Sequence, residues 1–213
     1  MIPINLKLKR KVHKDVAYVQ DLIVEELYNY FPHAVIHGGT AIWRCYNGNR
    51  FSEDIDAYIE KDNDKIENFF KSLEKKGFQI IKKRVKANSL YSSLRFNDIA
   101  VQFEALFKKI KNFILKEYEN SDGIFINVYT LSSEDLINEK AETYLKRKKI
   151  RDLYDIFFLL NYVSDKSKII LPLKRLIKNF SKPEDEENLK AIIIIGAIPG
   201  SKDIMDYITR WAK

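Results

Sequence analysis

Between Lys14 and Phe31 the apolar positions Val16, Val19, Leu22, Ile23, Leu27 and Tyr30 return at steps of three and four, which predicts an amphipathic helix closed by Pro32. The segment AVIHGG after it is short, apolar and glycine-ended; it reads as a buried strand running into a turn, with Thr40 to Tyr46 as a short helix ending near Asn47 and Gly48. DIDAYIE alternates and predicts a strand. Asp62 to Lys76 predicts a helix with Ile66, Phe69, Phe70 and Leu73 on one side and Gly77 as its stop. FQIIKKRVK, LYSSLRF and IAVQFEALF are three β-like runs, the last two joined by a tight turn at Asn97 and Asp98, and INVYT predicts a further strand.

From Ser132 onward the period changes. SSEDLINEKAETYLKRK opens on the cap-forming residues Ser132, Ser133 and Asp135, and RDLYDIFFLLNYV keeps helical spacing. Further helices are expected over Leu173 to Phe180, Glu184 to about Ile195, and Lys202 to Ala212. The all-apolar run AIIIIGAIPG fits a buried strand as well as a buried helix, and its helical surroundings favour the helix. The chain is therefore expected to have an α/β (α+β) domain over 1–131 and a helical domain over 132–213.

Composition narrows this only slightly. With 213 residues, 46% apolar and 31% charged, the chain is long enough for one sizeable core or two compact units and does not have the makeup of a disordered protein. No apolar run approaches membrane-spanning length, and MIPINLKLKRKVHKD is too polar for a secretory signal, so a cytoplasmic protein without a membrane partner is expected. Cys45 is the only cysteine, which excludes an intrachain disulfide and a cysteine-held zinc; it reads as a small buried side chain. The net charge of +7 suits contact with phosphates but equally suits the surface of a heat-adapted protein.

The chemistry is concentrated in GGTAIWRCYNGNRFSEDIDAYIE. On a strand, Asp54 and Asp56 project to the same side while Ile55 and Ala57 point to the core, and two carboxylates that close must share a proton or bind a cation. An all-oxygen site of this kind suits magnesium, which takes waters and phosphate oxygens as its remaining ligands. In IAVQFEALF, Glu104 falls on the polar side of a strand and is the candidate third acid, with Asp98 as the alternative. A glycine turn at a helix start, Gly38 and Gly39, offers backbone N–H groups to an anion, and Thr40 and Ser52 add hydroxyls, so a phosphate site would adjoin the metal site. His37 reads either as a phosphate contact or as a buried, hydrogen-bonded strand histidine.

Gly38, Gly39, Thr40 and Ala41 together with Arg50, Ser52, Asp54, Ile55 and Asp56 resemble the first motif of the nucleotidyltransferase superfamily, in the version carried by the AbiEii/AbiGii toxin family of type IV toxin–antitoxin systems. EKAETYLKRKKIRDLYDIFFLL resembles that family's later motifs through Lys140, Arg147, Arg151, Asp152 and Asp155. The resemblance implies a nucleotidyltransferase fold: a mixed β-sheet with flanking helices followed by a C-terminal helical domain, with the nucleotide between them. It implies metal ligation by Asp54 and Asp56, a third carboxylate at Glu104, contact of Lys140 with the triphosphate, and a need for Asp152. It places Arg50, Arg147 and Arg151 with the nucleotide-binding groups. If the later segment is helical throughout, Lys140, Tyr144, Arg147, Arg151 and Asp155 share one face.

The expected activity is magnesium-dependent transfer of a nucleoside monophosphate from an NTP to an acceptor hydroxyl, with two metal ions expected, tRNA as the preferred acceptor and a cognate antitoxin as partner. Clusters such as Lys82, Lys83, Arg84 and Lys86 suit an RNA. Two alternatives stay open: an NTP-binding module without turnover, and a transferase whose acceptor is a small molecule or a protein.

Overall fold

The computed structural model describes residues 3–213, and the chain divides into a strand-rich unit, Met1–Asn47 with Phe51–Thr130, and a helical unit, Leu131–Lys213 with Gly48–Arg50. In the first unit, α1 (Ile4–Lys7), α2 (Lys11–Tyr30), α3 (Gly38–Cys45) and α4 (Asn63–Lys75) accompany seven strands: β1 (Val35–His37), β2 (Ile55–Ile59), β3 (Gln79–Val85), β4 (Ser89–Phe96), β5 (Ile99–Phe107), β6 (Ile114–Glu119) and β7 (Phe125–Thr130). They form one mixed sheet in the order β3-β4-β5-β2-β1-β7-β6. The pairs β1–β7 and β2–β5 are parallel and the others antiparallel. The mixed sheet with flanking helices is the architecture expected of the sequence.

One face of the sheet is covered. Ile55, Ala57 and Ile59 of β2, Val101, Phe103 and Ala105 of β5, and Leu90 and Leu94 of β4 are all buried, as two-residue alternation requires for a half-covered sheet. α2 and α3 pack on the sheet, and α4 packs on α2. Phe69 of α4 joins this core through ring contacts with Phe31, Phe70 and Phe103. α3 is anchored by Arg44, whose buried guanidinium lies 4.0 Å from the Trp43 ring, pairs with Asp21 at 3.0 Å and donates to the main-chain carbonyls of Ala17 and Glu119. Cys45 is buried, and burial pushes its thiol up to about 12, in keeping with a packing role.

Strand β6 escapes the sequence pattern. Its alternation is weak: Ile114 and Leu115 are exposed, and only Tyr118 and Glu119 are buried, the latter accepting the Ile4 N–H at 2.7 Å.

The helical unit comprises α5 (Ser133–Arg147), α6 (Ile150–Leu159), α7 (Ser167–Lys178), α8 (Leu189–Ile192) and α9 (Ser201–Trp211), with short 3-10 turns at Leu160–Tyr162 and Glu186–Asn188. Ser132 caps α5 by accepting from the Asp135 N–H, as its position predicts. Two expectations are corrected. The segment from Lys140 to Asp155 is not one helix: Lys148 adopts the left-handed conformation (φ 49°) and the chain reverses between α5 and α6, which pack on each other. AIIIIGAIPG is not a buried helix either. The helix stops at Ile192; Ile193 is extended and bridged to Arg50, the Ile194 N–H donates to the Asn49 main-chain carbonyl at 2.8 Å, and none of Ala191 to Gly200 is buried.

Candidate active site

The face of the sheet opposite α2 is where the acids stand. Register makes the row explicit: Asp56 is opposite His37 on one side and Glu104 on the other, and Glu104 is opposite Tyr91. Residues in register point to the same face, so His37, Asp56, Glu104 and Tyr91 form one line across four strands. Every other residue of β2 is buried, while Asp56 is partly exposed and Glu104 is exposed. Asp54 lies one residue before β2, partly exposed.

The glycine turn and the acids are built as one piece. Gly38 opens α3 at φ +69°, and an ideal Cβ there would overlap Asp56 Oδ2 and lie 2.9 Å from its Cγ. Only glycine satisfies both the backbone conformation and the space, so the Asp56 carboxylate rests against the start of α3. The first four N–H groups of a helix have no acceptor within it; in α3 they belong to Gly38, Gly39, Thr40 and Ala41. The buried Thr40 hydroxyl donates to the Asp54 main-chain carbonyl and thereby ties this helix end to the segment carrying the acids. Ser52 accepts from Gln20 Nε2 through its main-chain carbonyl at 2.9 Å. His37 is half-buried and stacks on Tyr58, ring centroids 4.0 Å apart.

As a donor set, carboxylates at Asp54, Asp56 and Glu104 match a hard cation such as magnesium, and the register brings two of them to adjacent strands. Among the described residues no three His, Cys, Asp or Glu side chains are gathered closely enough to hold a metal ion by themselves. The arrangement fits a magnesium ion that keeps waters and phosphate oxygens, as this ion usually does, rather than one enclosed by protein ligands.

The helical unit holds the other motif residues in a closed charge network. Arg50 grips Asp155 with two guanidinium nitrogens, at 2.5 and 2.6 Å, and the Lys140 ammonium lies 2.7 Å from Asp155 and 3.4 Å from Asp152. Arg147 holds Asp152 with two bonds, at 2.7 and 2.8 Å. Asp152 and Asp155 are fully buried, and Lys140 is 7% exposed. Burial pushes the Asp155 carboxyl up, but Arg50 and Lys140 outweigh it and hold the group below its ordinary value. The reversal at Lys148 explains this geometry. Asp152 and Asp155, three residues apart, share the face of α6 turned to α5, whereas Arg151 lines a separate hollow with Lys149 and Asp185. The single face expected for Lys140, Tyr144, Arg147, Arg151 and Asp155 is thus divided, the first three lying on α5 and the last two on α6. The pairing of Arg50 with Asp155 has no sequence signal, since 105 residues separate them.

The family profile described as Nucleotidyl transferase AbiEii toxin, Type IV TA system, matches residues 22–192. Among solved structures, MenT4, a nucleotidyltransferase toxin of Mycobacterium tuberculosis, superposes with a TM-score of 0.65 at 16% identity, over 97% of this chain and 90% of that one. JHP933 of Helicobacter pylori does so with a TM-score of 0.62 at 16% identity, over 95% and 91%. At such identity these two similarities speak for the fold. No curated protein matches by sequence.

Proposed function

Since the chain belongs to the AbiEii nucleotidyltransferase toxin family of type IV toxin–antitoxin systems, we propose that it transfers a nucleoside monophosphate from an NTP to an acceptor hydroxyl, with magnesium as the metal and tRNA as the acceptor. The observation that carries this reading is the Asp56 carboxylate seated against the N-terminus of α3 with Glu104 in register beside it. Phosphoryl transfer needs an anion cradle and a set of hard-cation ligands side by side, and that is what a glycine-led helix start next to a carboxylate row provides.

In this reading Asp54 and Asp56 hold the metal and Glu104 either completes its ligands or takes the proton of the acceptor hydroxyl. The N–H groups of Gly38 and Gly39 receive phosphate oxygens. The acceptor oxygen forms a bond to the α-phosphorus while the bond to the pyrophosphate oxygen breaks, and pyrophosphate leaves. When bound, magnesium supplies charge neutralisation along that displacement. Lys140, Asp152, Arg147 and Arg50 act as positioning residues: their mutual ion pairs hold α5, α6 and the segment 48–50 together, and any contact with the triphosphate draws on that network. A cognate antitoxin belongs to the same reading, as the family pairs toxin with antitoxin.

The test is incubation of the purified chain with each NTP labelled at the α-phosphate, magnesium and bulk tRNA. Label on RNA with release of pyrophosphate is expected for at least one NTP. Transfer to protein or small-molecule hydroxyls alone would reassign the acceptor, and NTP binding without pyrophosphate would remove the catalytic reading.

A further inference from the structure

The open face of the sheet continues beyond the acids into a cavity of about 370 Å³, lined where β1 begins, where β2 ends and along the segment 108–113. Tyr58 is two residues past Asp56 on the same side of β2, about 6.6 Å along the strand. It stacks on His37, which is itself in register with Asp56, so His37 and Tyr58 link the acid row to the cavity. The walls include the rings of Tyr58 and Phe113; Phe113 meets Tyr129 edge-on at 4.7 Å and remains 39% exposed. The charged residues of the lining are mostly basic. Lys108 and Lys109 are exposed, and the Lys108 ammonium stands 5.4 Å from the centre of the Tyr58 ring. The acid in the lining, Glu60, is already engaged by Lys65.

We propose that this cavity is a nucleotide subsite, taking a base against the Tyr58 and Phe113 rings and the phosphate of the same nucleotide at Lys108 and Lys109. The inference rests on the reading of the acid row as a nucleotidyl-transfer site, whose substrates both carry nucleotides. Rings alone would suit any apolar ligand; rings with two exposed ammonium groups at the rim suit a π-system carrying an anion. The ammonium beside the Tyr58 ring leaves that position for the phosphate when a base arrives. Two sources present this chemistry, the incoming NTP and the terminal nucleotide of an acceptor RNA, and they are separable by experiment.

Binding is measured in the parent chain with magnesium, using for each NTP the analogue whose α–β bridge cannot be cleaved, so that turnover does not interfere, and in a separate titration a short single-stranded oligoribonucleotide. The double change Lys108→Glu and Lys109→Glu is expected to weaken one of these ligands about tenfold or more, and to lower the slope of log Kd against log salt by roughly one for the oligonucleotide if that is the occupant. Phe113→Ala is expected to weaken the same ligand about fivefold, as loss of a stacking ring does. Selective weakening of the oligonucleotide makes the cavity an acceptor subsite, and selective weakening of an NTP makes it the donor-base subsite. All three positions are exposed, so the variants should melt with the parent. If neither ligand changes by more than about twofold in either variant, the proposal is overturned. Loss of label transfer by the wild-type chain, with these binding effects intact, would instead count against the proposed reaction.

Discussion

Asp56 and Asp155 are both carboxylates on regular elements, each beside a group that relieves its charge, yet the two are treated in opposite ways. Asp155 is fully buried and closed in by Arg50 and Lys140. Asp56 stands partly exposed on the sheet face opposite α2, against the start of α3. A buried carboxylate held by two cations resists change, because removing either partner leaves an uncompensated charge. A carboxylate on an open face can acquire a partner without losing one. In the proposed function the contrast would separate residues that act on the substrate from residues that hold the frame, although one family motif set contains both.

The largest expected effect that breaks or upholds this contrast is on activity. Asp56→Asn should lower label transfer by about a thousandfold or more while the melting temperature stays within a few degrees. Asp155→Ala should do the reverse in kind: about 3–5 kcal/mol of stability lost in denaturant unfolding, with activity falling only as the folded fraction falls. Lys140→Met sharpens the comparison. As a positioning residue it should cost stability and activity together, with partial rescue by Lys140→Arg; a loss of activity at unchanged stability would make Lys140 a direct triphosphate contact.

Gly38→Ala sits between the two classes. The added methyl meets the Asp56 carboxylate at a φ that alanine resists, so roughly 1–2 kcal/mol of destabilisation is expected, together with displacement of Asp56 and weaker transfer.

The smallest effect concerns acid. Burial opposes ionisation of Glu134, but main-chain N–H groups of Asp165 and Ser164 outweigh it and bring the carboxyl down to about 2. A group lowered on folding contributes stability above its ordinary value of 4.5 and loses that contribution as pH falls toward 2. Melting followed over that range should show a steeper decline for the parent than for Glu134→Gln.

Much of the strand-rich unit was legible because its signals are local. Alternation in DIDAYIE and IAVQFEALF marks the two faces, the covered one through Ile55, Ala57, Phe103 and Ala105, and the open one through Asp56 and Glu104. The glycine pair marked the start of α3. Strand β6 was hidden because it is an edge strand with few buried side chains. In the helical unit the decisive signals are distant. KRKK favours helix, yet Lys148 turns left-handed where its carbonyl accepts the Glu184 N–H, and Asp185 accepts the first N–H of α6 from Ile150 at 2.8 Å. AIIIIGAIPG likewise follows Asn49 and Arg50 rather than its own hydrophobicity. The charges of the site were readable one at a time, but the network joining Arg50 to Asp155 was not.

The most direct test places label transfer and thermal unfolding side by side for the parent chain and Asp56→Asn, with magnesium titrated in both assays. Magnesium-dependent labelling of RNA is expected of the parent and none of the variant, with nearly superimposable unfolding of the two in the absence of metal. Equal labelling by the two proteins would contradict the role proposed for Asp56.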